Sequence, residues 1–441
     1  MASKAALDTG IYPVSAENSR LRCCSVNQRR NTAAALLAAA RPGSKVLVLE
    51  QSTMFGGLGT AGLVPMFAPT SNGERMVYGG IFEEINLEMC RRMNVEPWQE
   101  SWQAINPEIL KRLLDEKAEE AGIRFVFGAK VCEAEVGSGR IGAVLAATSM
   151  GLKRVTGRMF IDATGDALLA SLAGAEFEFG DENGRTMSPT LCAQFSNIDF
   201  DAYFAAIRAG VSDRSIWQKM TEEGTAPLRE HHFVCMKPVT KVSATSNLGH
   251  IYGIDTLDEF ELTRGYVEGR RIARTMEEFY RRHVPGFQNF ELLATASLLG
   301  VRETRRIRGE YRMTVEDFRR RAVFDDEIGR CCYPVDIHSG NTNAEEQKRV
   351  ERVLEETRFK RGESYGIPYR AMIPQGLANL LVPGRALSAD RAIQSSLRVM
   401  PPCFVTGQAA GVAAGLADGD VRSVDTVQLR SRLAEMGAYF K

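Results

Sequence analysis

The apolar and polar positions fall into a readable pattern between residues 32 and 175. Thr32–Ala40 (TAAALLAAA) is an alanine-rich run of high helix propensity, and Arg41-Pro42-Gly43 stops it. Lys45–Glu50 (KVLVLE) then reads as a buried strand, an unbroken apolar run closed by an acid. A helix, a short turn and a buried strand make the second half of a βαβ unit. The first strand and its glycine turn are therefore expected just upstream, with the turn near Val26–Thr32 (VNQRRNT). No glycine falls between Ile11 and Pro42.

Further along, the spacing predicts helices at Ile81–Arg92 and Pro107–Ala121 and a strand at Ile123–Phe127. Two strands, Lys130–Val136 and Gly142–Thr148, flank the turn Gly137-Ser138-Gly139-Arg140. Arg158–Ala163 (RMFIDA) is another buried strand, closing on Thr164-Gly165-Asp166. From residue 176 the βαβ rhythm is lost, and charged helical stretches such as Asp258–Arg282 alternate with irregular pieces. A last strand, Asn379–Val382, runs into Gly384-Arg385, and a small-residue helix, Val405–Ala417, ends the core. The fold class is α/β. The pattern divides the chain into an atypical segment (1–31), a first core part (32–175), an inserted α+β substrate or cap domain (176–364) and a second core part (365–441).

Composition narrows the function classes. A chain of 441 residues, 44% hydrophobic and 25% charged, is ordinary for a globular protein of more than one domain. Lys+Arg and Asp+Glu both count 55, so the balance gives no reason to expect nucleic acid or an anionic membrane as partner. The apolar run Ala33–Ala40 is too short to span a bilayer and lacks a signal-peptide layout, so the expected location is the cytoplasm. The nine cysteines include no C-x-x-C and no iron–sulfur or zinc spacing, and no metal site is expected.

The candidate chemistry sits at strand ends. Glu50 closes the second strand of the unit, where a carboxylate accepts hydrogen bonds from a ribose diol; it would equally serve to solvate a strand tip. Phe55–Gly62 (FGGLGTAG) and Ala163-Thr164-Gly165-Asp166 lack the side-chain bulk that keeps a flat ligand from the backbone. Gly384-Arg385 holds the matching end of the final strand, and the three together describe a cleft along one sheet edge. Gly137, Gly139 and Gly142 spell G-x-G-x-x-G, but no helix follows them, and a β-hairpin explains the same residues. Pro401 and Pro402 precede the small-residue helix, whose N-terminus would favour negative charge on a ligand; a tightly packed core helix reads the same way. Arg302, Arg305, Arg306 and Arg308 form a cationic cluster. It is either a solvated helix face partnered by Glu303 and Glu310, or a set with one or two members pointing into the cleft. Cys403 reads as a small buried residue more readily than as a redox centre, and Cys331-Cys332 as two unrelated thiols.

Glu50-Gln51 with FGGLGTAG, then FIDATGDA, GVRETRRIRGEY, YGIPYRAMIP and NLLVPGRALSAD…SLRVMPPCFVTGQAAG, resembles the FAD-dependent oxidoreductases grouped with the flavin subunit of heterodisulfide reductases. The resemblance runs from about Thr32 to the C-terminus. It implies a discontinuous FAD/NAD(P)-binding (Rossmann-like) domain with FAD as cofactor. Within it, Glu50, beside Gln51, would hold the adenosine ribose, and Val131 would meet the adenine through its backbone. Gly56, Gly57 and Thr60 would line the flavin side. Gly165, Asp166, Gly384 and Arg385 would approach the pyrophosphate and ribityl chain, and Pro401, Pro402 and Gly407 would flank the isoalloxazine. Arg302, Arg305 and Cys403 are the candidates for catalysis. The implied activity passes hydride from a small organic substrate to the flavin, with an electron-transfer protein as a further partner.

Two departures accompany the resemblance. The iron–sulfur cysteines of heterodisulfide reductase flavin subunits are absent, and residues 1–31 offer neither the family's first strand nor its glycine loop. Arg29 and Arg30 could supply charge to a pyrophosphate but not glycine's steric role. The abrupt change near Asn31–Thr32 points to a frame error or displaced start in the coding sequence. The alternatives are a degenerate member that does not hold FAD and a flavin subunit in a thiol/disulfide electron-transfer complex with an iron–sulfur partner.

Overall fold

The computed structural model describes residues 12–13, 23–27, 45–97, 102–228, 236–341 and 344–441. Its centre is a five-stranded parallel sheet in the order Leu380–Leu381, Met159–Ala163, Cys23–Asn27, Val46–Glu50, Arg124–Phe127. The unbroken apolar run at 46–49 now has its reason, because both faces of this strand are covered. Val46 and Val48 pack into one hydrophobic core, and Leu47 and Leu49 into another on the opposite face. Arg124–Phe127 lies at the sheet edge and alternates instead: Arg124 and Val126 are exposed, while Phe125 and Phe127 meet Phe55 edge-on at 5.1 and 5.0 Å.

The sheet corrects one expectation. Residues 1–31 do supply the strand missing from the sequence reading: Cys23–Asn27 pairs in parallel with both Met159–Ala163 and Val46–Glu50, Asn27 lying opposite Glu50 and Ala163. A segment without hydrophobic periodicity gave no sign of it. The turn that follows, Arg29 and Arg30, and the helix expected at Thr32–Ala40 lie outside the described residues.

Elsewhere the boundaries move by a few residues. The helices are Ile81–Met93 and Pro107–Glu120, the latter N-capped by Asn106. Gly137, Gly139 and Gly142 belong to an antiparallel hairpin, Lys130–Gly137 with Arg140–Thr148, as expected from the missing helix. Asp258 caps the long helix Glu259–His283 by accepting the Glu261 N–H at 2.8 Å. The closing helix begins earlier than predicted, at Met400, so Pro401 and Pro402 stand inside its first turn rather than before it. A helix's first-turn N–H groups have no intrahelical partner, so prolines fit there without loss.

Between residues 191 and 301 a second sheet forms, antiparallel, in the order Met236–Pro238, Ala244–Ser246, Ala193–Ser196, Glu291–Thr295. Its own core gathers Phe195, Phe290, Trp217, Ile272, Met276 and Phe279 from the strands and the helices Asp213–Glu222 and Glu259–His283. This sheet unit is tied to the glycine-rich loop of the first: the Leu298 N–H and the Ser297 hydroxyl both donate to the Ala61 carbonyl at 3.2 Å. Among the described residues no single helix is long and apolar enough to cross a membrane.

Candidate cofactor and substrate site

The carboxyl edge of the parallel sheet collects the predicted strand ends. Glu50 is buried, and its Oε1 accepts the Ser52 N–H at 2.6 Å. Its carbonyl accepts the Ala129 N–H at 2.9 Å, which leads the chain directly to buried Val131. Gln51 beside it is exposed. In the loop after the strand, Gly56 has a φ of 94°, and a Cβ there would stand 2.6 Å from Thr60 Cγ2. The hydroxyl of Thr60 bonds back to the Phe55 carbonyl at 2.5 Å, closing the turn that contains Gly57.

Asp162 shapes the next turn from within. Fully buried, it accepts the Thr164 N–H at 3.0 Å, the Thr164 hydroxyl at 2.6 Å and the Ala170 N–H at 2.9 Å. Burial pushes its carboxyl pKa up, against those three hydrogen bonds. The turn places Gly165, with φ of 72°, and Asp166 against the end of the last strand. Asp166 pairs with Arg385 in a buried ion pair and accepts the Thr304 hydroxyl at 2.9 Å. Gly384, at φ 79°, is anchored to the closing helix through its N–H to Thr406 Oγ1 at 3.0 Å. The structure thus brings Gly165, Asp166, Gly384 and Arg385 together beside the helix that carries Pro401, Pro402 and Gly407.

The arginine cluster is resolved by burial. It is not a solvated helix face: residues 301–304 run without helix and Arg305–Ile307 is a strand. Arg302 is buried, donating to the Ser188 carbonyl and to Thr190 Oγ1 at 3.0 Å. Arg305 reaches the Asp166 carbonyl at 3.3 Å with its guanidinium over the Phe177 ring. Arg306 is buried against Glu303, while Glu310 pairs outside the cluster, with Arg422 at 2.7 Å. Cys403 is buried, its thiol directed to the Leu397 and Arg398 carbonyls at 3.5 and 3.6 Å.

A cavity of about 440 Å³ opens between the two sheet units. One wall is apolar: Leu58, Val64, Pro65 and Met66 after the glycine-rich loop, with Val399 and Met400 at the start of the closing helix. The lining also includes the polar side chains of Arg214, Lys237, Asn247 and Arg302. Of the three catalytic candidates only Arg302 lines this cavity; Arg305 and Cys403 do not.

A polar chain missed in the sequence lies along the cavity. Asp336 accepts the Tyr333 hydroxyl at 3.1 Å and the Arg398 guanidinium at 2.7 Å, and lies 3.3 Å from His338 Nε2. His338 Nδ1 in turn meets His250 Nε2 at 2.7 Å. Burial, then the positive charge of Arg302, hold His338 well below the ordinary imidazole range, with Asp336 opposing them. Asp336 is half-buried, and His338, Arg398 and Arg302 outweigh its desolvation and keep its carboxyl well below the usual range. Burial and the neighbouring Asp336 raise the Tyr333 hydroxyl. The only local signals were the D-x-H spacing of Asp336 and His338, and Arg398 inside the SLRVMPP segment.

A larger groove, about 1240 Å³, runs past Phe177–Asn183 and Arg391, but its cations are compensated. Arg308 pairs with Glu176 at 2.8 Å, Arg312 with Glu178 at 2.9 Å and Arg391 with Glu303 at 3.1 Å.

A parallel sheet whose carboxyl edge carries a buried acid and two left-handed glycine turns defines an α/β protein of the dinucleotide-binding, Rossmann-like class. The chain belongs to the FAD dependent oxidoreductase family, whose profile matches residues 31–435. FAD is the cofactor of that family, and the residues present fit it. Gly165 and Gly384 leave the backbone open beside the Asp166–Arg385 pair, where a Cβ on Gly165 would come within 3.4 Å of the Arg385 guanidinium carbon. No curated protein shows significant sequence similarity to the chain. Among solved structures it is similar to a geranylgeranyl bacteriochlorophyll reductase-like protein from Thermoplasma acidophilum (12% identity, 94% of this chain and 82% of that one, TM-score 0.45). It is also similar to the flavin-dependent brominase Bmp2 (10%, 94% and 83%, TM-score 0.46) and to L-proline dehydrogenase from P. horikoshii (10%, 95% and 98%, TM-score 0.42). Scores this low add no chemistry to the family match.

Proposed function

We propose that the protein oxidises a small organic substrate, which gives up hydride to the bound FAD, and that the 440 Å³ cavity holds this substrate. The observation that carries the reading is the composition of the cavity walls. Leu58 and Met400 come from the two segments that the sequence resemblance assigns to the flavin side, while Lys237 and Asn247 come from the second sheet unit and Arg302 from the segment that follows it. FAD supplies the two-electron acceptor. The chain's own residues bind the adenosine ribose at Glu50, keep the backbone open at Gly165 and Gly384, and exclude water along the apolar wall. Arg302 and Lys237 bind and orient the substrate.

Bound flavin per chain, read from the absorption spectrum of the purified protein, tests this directly. Glu50→Ala is expected to weaken FAD binding about ten-fold, the worth of a charge-assisted hydrogen bond. Unchanged flavin affinity in that variant sinks the ribose assignment. A wild-type chain that takes up no FAD on reconstitution would instead favour a degenerate member of the family.

A further inference from the structure

The segment that leaves the second sheet unit, residues 300–305, borders two sites at once. Gly300 and Arg302 line the 440 Å³ cavity, while Thr304 and Arg305 reach the turn that follows the strand Met159–Ala163. Thr304 is 2% exposed, and its hydroxyl donates to Asp166 Oδ1 at 2.9 Å and lies 3.4 Å from the Gly165 carbonyl. The Arg305 guanidinium donates to the Asp166 carbonyl at 3.3 Å. One carboxylate oxygen of Asp166 thus meets Arg385 from the last strand end and Thr304 from a different part of the chain.

The hydroxyl is held in place by its own segment. The Arg302 carbonyl accepts the Gln394 side-chain amide at 3.0 Å, and the Glu303 carbonyl accepts the Thr256 hydroxyl at 3.0 Å. The wholly buried Glu303 carboxylate takes the Met187 N–H and the Arg391 guanidinium at 3.1 Å each and pairs with Arg306. A donor on a segment bonded at successive residues meets its acceptor with little further ordering, which is what positioning requires. The Arg385 ion pair supplies strength. The Thr304 hydroxyl adds direction, because a hydrogen bond weakens steeply away from its axis.

We propose that Thr304 is a positioning residue for the cofactor: its hydroxyl orients the Asp166 carboxylate and the Gly165 turn against FAD, so that FAD affinity is set in part from the segment that also lines the substrate cavity. This rests on the reading of the Gly165–Asp166 turn as part of the FAD site. The cofactor turn is then complete only when that segment is docked on it.

The test titrates flavin-free, full-length protein with FAD in the absence of urea and follows the quenching of flavin fluorescence. Thr304→Val keeps the side-chain volume and removes the hydroxyl; it is expected to weaken FAD binding about ten-fold, the scale of a hydrogen bond to a charged acceptor. Thr304→Ser returns the hydroxyl and is expected to bring affinity back to within about three-fold of the wild type. Thr304→Ala, which places no extra methyl group in the buried site, carries the test should Thr304→Val fail to fold. A hydroxyl that only stabilises the fold would lower the urea unfolding midpoint and leave FAD affinity as it is. That result, or a Thr304→Ser variant as weak as Thr304→Val, overturns the proposal. Asp166→Ala measured alongside separates the proposal from the reading beneath it. If neither Asp166→Ala nor Thr304→Val changes FAD affinity, the turn lies outside the site and both fail; if only Asp166→Ala does, the role of Thr304 alone is refuted. A wild-type chain that takes up no FAD refutes both.

Discussion

Two clusters of charged side chains lie close together in this protein, and they differ in burial: the first is buried throughout, the second only in part. At the carboxyl edge of the parallel sheet, Asp166, Arg385 and Thr304 form a unit in which one carboxylate meets one guanidinium and one hydroxyl. Among the described residues, the cavity is lined by Arg214, Lys237, Arg302 and Arg398 and by the carboxylate Asp336, which is backed by the His338–His250 pair. The first cluster is balanced within the protein and fixes two glycine turns in place. The second lines a cavity, with Arg302 and Arg398 buried, Lys237 half-buried and Arg214 exposed. A buried pair closed on itself stabilises a shape, whereas charged side chains along a cavity stand where a ligand could meet them.

The sharpest way to break the comparison is to unbalance the neutral cluster. Asp166→Ala removes the carboxylate from the buried Arg385 guanidinium and is expected to cost about 3–5 kcal/mol in urea unfolding, with loss of bound flavin. A cost below about 1 kcal/mol would mean that the pair does not anchor these turns.

The second prediction concerns pH and the cationic cluster. The folded-state pKa of His338 is held below the unfolded value of about 6.5 by burial, Arg302 and His250, with Asp336 opposing them. Below that value the unfolded chain binds the extra proton and the folded one does not. Stability is therefore full above pH about 6.5 and falls towards the lower folded-state pKa, with a slope of at most about 1.4 kcal/mol per pH unit from this group. His338→Gln should flatten that part of the stability–pH curve; an unchanged curve would assign the slope to other groups.

The smallest effect is expected at Arg308, the exposed end of the arginine cluster, paired with Glu176 at side-chain exposures of 56% and 73%. Arg308→Ala should change stability by no more than about 0.5 kcal/mol in the same unfolding assay. A larger loss would show that the cluster acts as one unit rather than as buried and solvated halves.

Much of the fold was legible because its signals are local. The run at 46–49 is apolar throughout since both faces of its strand are covered, and the hairpin at Gly137–Arg140 is told from a phosphate loop by the missing helix. The strand Cys23–Asn27 was not legible: it joins the sheet between two partners more than twenty residues away, and its own sequence lacks a period. Within the arginine cluster the residue types were evident, but helix and strand place them differently. Only the structure separates Arg302 and Arg306, which are buried, from Arg308, which is not.

By itself, the sequence determined the α/β class, the strand-end residues Glu50, Gly165 and Gly384, and the family. Each of these is written in a few consecutive residues, because a turn or a strand end is a local object. Tertiary structure alone decided that Asp166 meets Arg385, that His250 meets His338, and that Lys237 and Arg302 share a cavity with Leu58 and Met400. Those residues stand far apart along the chain, and no periodicity links them. Their chemistry exists only where packing removes them from water and sets them within hydrogen-bonding reach of one another.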